Sequence, residues 1–382
     1  MVNKKTIDEY RFNEVQCIAS HNSYEERYIP KKQLNIGERI KILVQEQKFF
    51  EMVNQMKSPL LEIGEEFDSQ RDDCFRSIKH QLETIKVRSL EFDIHEEKDG
   101  IFRVYHLNFL NKLRKNRAKI YDLEHWLKVI NQWSDEYNKN HDSQHEVIVI
   151  YIDIKKIRNL ESFPMKINTI LHSIFKYKIY ARAGFMGRWP KLGSLRGKFI
   201  FVLSGGNPET QDMEWKSKQY YHQKLYEDSS LDLRLAFLDA APREIKNFND
   251  RIFINTYANT HLIFLNYEVV NSLVNQGKIV RTWRTNDEIT LYDTMSKGVN
   301  LIGTDAFENM VIWRNINPLA PEENSGFQKR WESIPSSRSM FAIQKRIYNM
   351  EKKNRINRFI IPLMGIIIVL LCLLLYFSIF KY

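Results

Sequence analysis

The chain predicts an α/β fold: an eight-stranded β/α barrel of the TIM type, followed by a C-terminal transmembrane helix. Three observations carry this expectation. Short apolar stretches alternate with helical ones along most of the length, as parallel sheets require. Polar residues collect at the C-terminal ends of the apolar stretches, which in a closed barrel converge on one mouth. Residues 359–380 form an uncharged, mostly apolar run of about 22 residues, enough to cross a bilayer of roughly 30 Å as a helix. An open doubly wound sheet is the competing architecture. It is disfavoured because no GxGxxG follows the first strand and no Walker loop is present; Ser204-Gly205-Gly206-Asn207 matches neither.

In chain order, residues 14–19 form a short apolar strand that ends at Ser20-His21-Asn22-Ser23-Tyr24. Residues 36–56 and 69–85 have helical periodicity, with Ser69 placed as an N-cap. Residues 87–95 alternate, with Leu90, Phe92 and Ile94 on one face and Glu91, Asp93 and His95 on the other. Packed inside a protein, those neighbouring carboxylates would cost several kcal/mol without a compensating cation; on a wet sheet face they would cost little. Residues 102–106 are read as the third strand, joined by a turn at Asp99-Gly100. A helix over 122–137 lines up Leu123, Trp126, Leu127 and Ile130. Residues 146–155 are almost continuously apolar, as buried parallel strands are. After a helix over 160–175, strands at 198–203, 251–255, 278–283 and 299–303 complete the set of eight, with helices at 262–275 and 287–296. Residues 233–238 are an additional candidate strand.

A chain of 382 residues that is 43% hydrophobic and 13% aromatic can bury a large core, which excludes extensive disorder. Cys17, Cys74 and Cys372 are far apart and odd in number, so neither a disulfide framework nor a zinc site is expected, and a reducing compartment fits. The net charge of +10 is concentrated at one end, where seven basic residues beyond position 341 face the single acid Glu351. No basic stripe or recognisable module suggests nucleic acid as a partner. The expected organisation is therefore a barrel over 1–340, a basic juxtamembrane linker over 341–358 and a membrane helix over 359–380. The N-terminus carries no apolar leader, and the positive-inside rule turns the folded part toward the cytosol. A single-pass, tail-anchored membrane protein is the expectation.

Four oxygen donors at the expected mouth, Asn22, Glu91, Asp93 and Asp153, are of the hard kind that calcium takes, with magnesium as second choice. His21 and His106 titrate near neutral pH and can act as acid, base or donor to a charged oxygen. Lys155, on the same strand face as Asp153, can neutralise a phosphate oxygen. Trp283, Arg284 and Asp305 follow the last two strands at the same rim. Each residue also has an ordinary structural role open to it: a satisfied core histidine, a strand-end cap, a solvated lysine. Their joint placement at strand ends is what favours chemistry.

The segments Ser20–Tyr24, 81–95 with Glu91-Phe92-Asp93, Val104-Tyr105-His106 and Tyr151-Ile152-Asp153-Ile154-Lys155 resemble the motif series of calcium-dependent phosphatidylinositol-specific phospholipase C. Arg281-Thr282-Trp283-Arg284 and 298–305 resemble the last two strands of that superfamily, so the likeness covers about 14–310. The resemblance implies that Asn22, Glu91, Asp93 and Asp153 bind calcium. It implies that His21 stabilises charge on phosphorus, that His106 protonates the leaving diacylglycerol oxygen, and that the inositol 2-hydroxyl attacks with Glu91 as base. The substrate would be an inositol phospholipid. Arg281 and Arg284 are candidate headgroup contacts, with salt bridges at the core rim equally open to them. The fourth-strand acid is often Glu in that family, where this chain has Asp153. Members similar to it are commonly secreted, which this chain is not expected to be. Residues 184–232 and 316–339 have no motif counterpart.

Two other functions stay open. A glycerophosphodiester phosphodiesterase fits Glu91, Asp93, Asp99-Gly100 and His106 almost as well, although those enzymes usually read His-Arg-Gly where this chain has His21-Asn22-Ser23. A catalytically silent, anchored scaffold that binds lipid headgroups is the third reading.

Overall fold

The computed structural model describes residues 6–24, 77–105, 122–206, 211–227, 234–242, 251–257, 266–286, 288–305 and 325–330. Eight parallel strands follow from the apolar stretches: β1 (Val15–Ser20), β2 (Ser89–Glu96), β4 (Ile148–Lys156), β5 (Phe199–Ser204), β6 (Phe237–Ala240), β7 (Phe253–Tyr257), β8 (Ile279–Trp283) and β9 (Leu301–Thr304). They pair in that order around a circle. The circle closes where β1 meets β9 from Cys17↔Leu301 to Ser20↔Thr304 and meets β2 at Ala19↔Ser89. Two short strands sit outside the circuit. β3 (Phe102–Val104) runs antiparallel to β2, and β10 (Phe327–Lys329) runs antiparallel to the lower half of β1.

The third barrel strand expected at 102–106 is thus corrected: it is a hairpin arm, and the vacant place in the circle belongs to β6, expected only as an additional strand. The cause is connection length. Asp99 and Gly100, the latter at φ +77°, turn the chain back within a few residues, which gives antiparallel pairing, whereas a parallel neighbour needs a crossover of a dozen residues or more.

Period-two alternation splits the strand residues into two apolar layers. Ile150, Ile152, Phe201, Leu203, Ile254, Val280 and Ile302 face outward and pack under the helices. Those helices are α1 (Ile78–Glu83), α2 (Leu123–Asn140), α3 (Phe163–Phe175), α4 (Met213–Glu227), α5 (Tyr267–Asn275) and α6 (Glu288–Ser296). Asp122 caps α2 by accepting from His125 N at 2.7 Å, and Asn266 caps α5 by accepting from Val269 N at 2.9 Å. The helix expected over 69–85 is described only as α1, capped by Ser77; Ser69 and the helix expected over 36–56 lie outside the described residues.

Cys17, Ala19, Val149, Tyr151, Ile200, Val202, Phe237, Phe253, Ile279 and Leu301 face inward and fill the lower barrel. Trp189 plugs the floor: fully buried, it packs on Phe12, Phe237 and Phe253, and its Nε1 donates to Gly277 O at 2.8 Å. The upper barrel is consequently where inward-facing polar residues find room.

Among the described residues no helix is long and apolar enough to cross a membrane. The expected linker over 341–358 and membrane helix over 359–380 lie outside the described residues.

Candidate active site

Counting two residues upward from the inward apolar layer gives the lining of the mouth. Tyr151 leads to Asp153, Val202 to Ser204, Phe237 to Asp239, Phe253 to Asn255 and Ile279 to Arg281, while β2 contributes Glu91 and Asp93 from its polar inner face. Glu91, Asp153, Ser204, Asp239, Asn255 and Arg281 line a cavity of about 270 Å³ together with His21, Asn22, Lys155, Lys218, Trp283 and Arg284, and Asp93 is buried behind Glu91 and Asp153. The expected site residues Asn22, Glu91, Asp93, Asp153, Lys155, His21, Arg281 and Arg284 are therefore brought together. His106 lies outside the described residues. The last described residue before it, Tyr105, donates its backbone N–H to Asp93 O at 3.2 Å.

The turn after β1 is fastened to β2. Ser23 Oγ accepts from Glu91 N at 2.8 Å, Ser23 N donates to Glu91 O at 3.1 Å, and Gln81 Nε2 donates to Ser23 O at 3.0 Å. Asn22 takes φ +52°, a left-handed conformation that asparagine tolerates better than most residues. The Tyr24 hydroxyl stands 3.2 Å from Asn22 Oδ1 and 3.1 Å from Asp93 Oδ2, so it ties the amide to the acids.

Carboxylate oxygens of Glu91, Asp93 and Asp153 all lie within 4.8 Å of one another. Asp93 and Asp153 are register partners on adjacent strands, which forces two acids side by side. The Oδ1 of Asp153 is buried without a hydrogen-bond partner. Three hard oxygen donors, an orphaned carboxylate oxygen and a nearby amide fit a calcium-type ion.

Gly205 makes room for the cluster. It stands at φ +102°, and a Cβ there would lie 2.3 Å from Ile154 O and 2.6 Å from Asp153 Oδ1. Gly205→Ala is expected to destabilise the fold by about 2 kcal/mol or more, from backbone strain and overpacking together. Urea unfolding measures this, and an unchanged midpoint would contradict the close approach.

Cations surround the acids. Arg281 is fully buried, pairs closely with Glu91, donates from Nη1 to Asn255 Oδ1 at 3.0 Å and lies 4.3 Å from the centre of the Tyr151 ring. Of the two roles open to it from the sequence, headgroup contact and salt bridge at the core rim, the ion pair with Glu91 is present, and the residue also lines the cavity. Burial alone would raise the Glu91 carboxyl, but Arg281, His21 and Lys155 together lower it, which leaves a stable anion and a weak base. Lys155 Nζ lies 3.0 Å from Asp153 Oδ2 and 3.8 Å from Asp93 Oδ1. Burial disfavours its charge, yet Asp153, Asp93 and Glu91 outweigh this and raise its pKa.

His21 faces the acids from β1. Its Nδ1 is 2.9 Å from Asp305 Oδ1, and its ring stacks on Trp283 with centroids 5.6 Å apart. Burial would lower the imidazole, but Asp305 and Glu91 prevail and push its pKa up to about 9. Asn286 in turn donates to Asp305 Oδ2 at 2.9 Å and accepts from Asp305 N at 2.8 Å. The result is an imidazolium at neutral pH, oriented through Nδ1, with Nε2 left to act.

The opposite wall was not anticipated. Lys218 of α4 donates to Asp239 Oδ1 at 2.9 Å, both buried, and Asn255 Nδ2 reaches Asp239 Oδ2 at 3.1 Å and Ser204 Oγ at 3.2 Å. Period-two counting along 233–240 and 251–255 would have found Asp239 and Asn255. Lys218, on a helix without an apolar stripe, left no comparable signal.

No protein-family model matches the chain, and no curated protein matches its sequence. Solved structures do. A calcium-dependent phosphoinositol-specific phospholipase C from the Gram-negative bacterium Pseudomonas sp is similar in its apo form, with TM-score 0.53, 14% identity and coverage of 85% of this chain and 97% of that one. A second crystal form gives TM-score 0.53 at 15% identity, with 85% and 96% covered. The myoinositol complex gives 0.52 at 14% identity, with 85% and 100% covered. At such identities the likeness is one of fold: this chain shares its barrel with the phosphoinositol-specific phospholipase C of Pseudomonas sp.

Proposed function

We propose that this chain is a phosphoric diester hydrolase of the phospholipase C type, acting on an inositol phospholipid and dependent on calcium. The observation that carries the reading is the imidazole of His21, braced by Asp305 and lining one cavity with Glu91 and Asp153 of the acid cluster. A phosphodiester is an anion whose negative charge is redistributed over its oxygens during transfer, so catalysis is chiefly positioning and charge stabilisation. An acid cluster that would hold a divalent ion, with protein cations beside it, supplies both.

Asn22, Glu91, Asp93 and Asp153 would hold that ion; when bound, it lowers the pKa of a coordinated hydroxyl and offsets charge on the phosphoryl oxygens. Asp305 keeps His21 protonated and aimed, so that Nε2 donates to a phosphoryl oxygen. Arg281 keeps Glu91 ionised in its place. Glu91, lowered by Arg281, His21 and Lys155, is a weak base, so its part is to hold charge at the ion rather than to take the proton of the attacking hydroxyl. His106 is proposed to protonate the leaving diacylglycerol oxygen. The wall of Lys218, Asp239, Asn255 and Ser204 offers alternating donors and acceptors to a polyhydroxyl headgroup.

The test is a panel of vesicles, each with one phospholipid labelled in its headgroup, incubated with full-length protein in calcium and in chelator. Calcium-dependent release from phosphatidylinositol, with little from phosphatidylcholine, is expected. Equal release from both, or release unaffected by chelator, would contradict the reading.

The run over 359–380 is proposed to anchor the chain with the barrel on the cytosolic side. Full-length protein is expected to resist alkaline carbonate extraction, and protease added outside sealed microsomes is expected to digest the barrel. Extraction into the wash, or a protected barrel, would contradict this placement.

A further inference from the structure

Among the described residues, Arg281 and Lys155 form ion pairs with the acid cluster, and they differ in freedom. Arg281 is 1% exposed and committed to Glu91, Asn255 and the face of Tyr151. Lys155 has a side chain 31% exposed, and its ammonium stands 3.0 Å from Asp153 and 3.8 Å from Asp93. Those are two of the three carboxylates that gather within 4.8 Å. Calcium binds oxygen at about 2.3–2.6 Å, so an ion on the same two carboxylates would lie close to the present position of Nζ. Like charges at that separation, partly screened from water, repel strongly. The lysine must move. Its flexible stem permits this, and the cavity beside it has about 270 Å³ of space.

We infer that Lys155 is a displaceable counter-ion of the cluster: it neutralises Asp153 and Asp93 in the metal-free protein, competes with the divalent cation for them, and swings into the cavity when displaced. The inference rests on the cluster being a cation site. It adds a consequence that the acids alone would not give. Once displaced, the ammonium is presented where an anionic phosphate lies, so cation and phosphate each favour binding of the other, by the same factor in both directions.

Calorimetric titration of calcium into chelator-treated, full-length protein tests this with three forms: wild type, Lys155→Gln and Asp93→Asn. Lys155→Gln is expected to bind calcium at least ~10-fold more tightly than wild type, because the competitor is gone. It is also expected to melt at a lower temperature in chelator and to recover in calcium. A lysine with a merely structural role would leave the melt low in both. The wild-type protein supplies a reading that needs no variant. Limiting acylation of lysines, followed by mass spectrometry, is expected to label Lys155 several-fold faster with calcium than without it, while Lys218, paired with Asp239, stays constant. If Lys155→Gln binds calcium no more tightly than wild type while Asp93→Asn binds it less, the inference about Lys155 is overturned and the cation site stands. If none of the three forms binds calcium, the cation site itself falls, and this inference with it.

Discussion

Replacing His21 by alanine is expected to lower kcat for phosphodiester cleavage by about 10²- to 10⁴-fold, the range for losing a positioned proton donor. The fold should survive, because the ring packs on Trp283 at the cavity wall and contributes no part of either apolar layer. Asp305→Asn separates charge from geometry. Its amide can still meet Nδ1, but the negative charge that outweighs burial is gone, so the His21 pKa should fall from about 9. Activity requires the protonated ring. The wild-type pH profile should therefore stay flat through neutrality and decline as pH rises through about 9, while Asp305→Asn should decline at lower pH. The sign for stability agrees: a folded pKa raised above the ordinary 6.5 contributes stability that is complete below 6.5 and is lost as pH rises through about 9. Initial rates across pH check both statements; a coincident alkaline limb in the two proteins would remove Asp305 from its role.

Much of this site was legible in the sequence because β-strand alternation is rigid. Once Leu90, Phe92 and Ile94 are assigned outward, Glu91 and Asp93 have nowhere to point except inward. The same logic placed Asp153, Lys155 and the turn residues His21 and Asn22. Alternation does not report partners across the barrel. For Arg281 the sequence leaves headgroup contact and a core-rim salt bridge equally open, and only the closed circle reveals that it reaches Glu91, 190 positions earlier in the chain. Asp305 likewise read as a rim acid, because its bond to His21 depends on β1 and β9 being neighbours. Two errors have local causes. The turn at Gly100 is visible in the sequence, but alternation alone does not tell an antiparallel arm from a strand of the circle; the short connection does. α4 has lysines and aromatic residues spread around it, so it shows no apolar stripe, and Lys218 arrives unannounced.

Asp93→Asn is expected to carry the second large effect, a loss of calcium affinity of about 100-fold or more with a matching fall in activity at limiting calcium. Asp93 is fully buried beside Asp153, so removing its charge relieves like-charge repulsion between the acids and leaves Lys155 its closer partner Asp153 at 3.0 Å, while depriving a bound ion of one anionic donor. Asparagine has the same shape and can still accept from Tyr24, so thermal stability in chelator should be preserved or raised. Affinity by calorimetry and melting in chelator measure the two sides. Unchanged calcium affinity would take Asp93 out of the donor set.

In the proposed reaction an inositol phospholipid is cleaved by attack of its own neighbouring hydroxyl on phosphorus, between His21 and the acid cluster. Phosphorus NMR of an early sample tests it most directly, with full-length protein, phosphatidylinositol vesicles and calcium. A cyclic inositol phosphate resonance is expected to appear before any acyclic monoester and to be absent in chelator. Intact lipid in calcium, or an acyclic phosphate with no cyclic precursor at the earliest times, would contradict it.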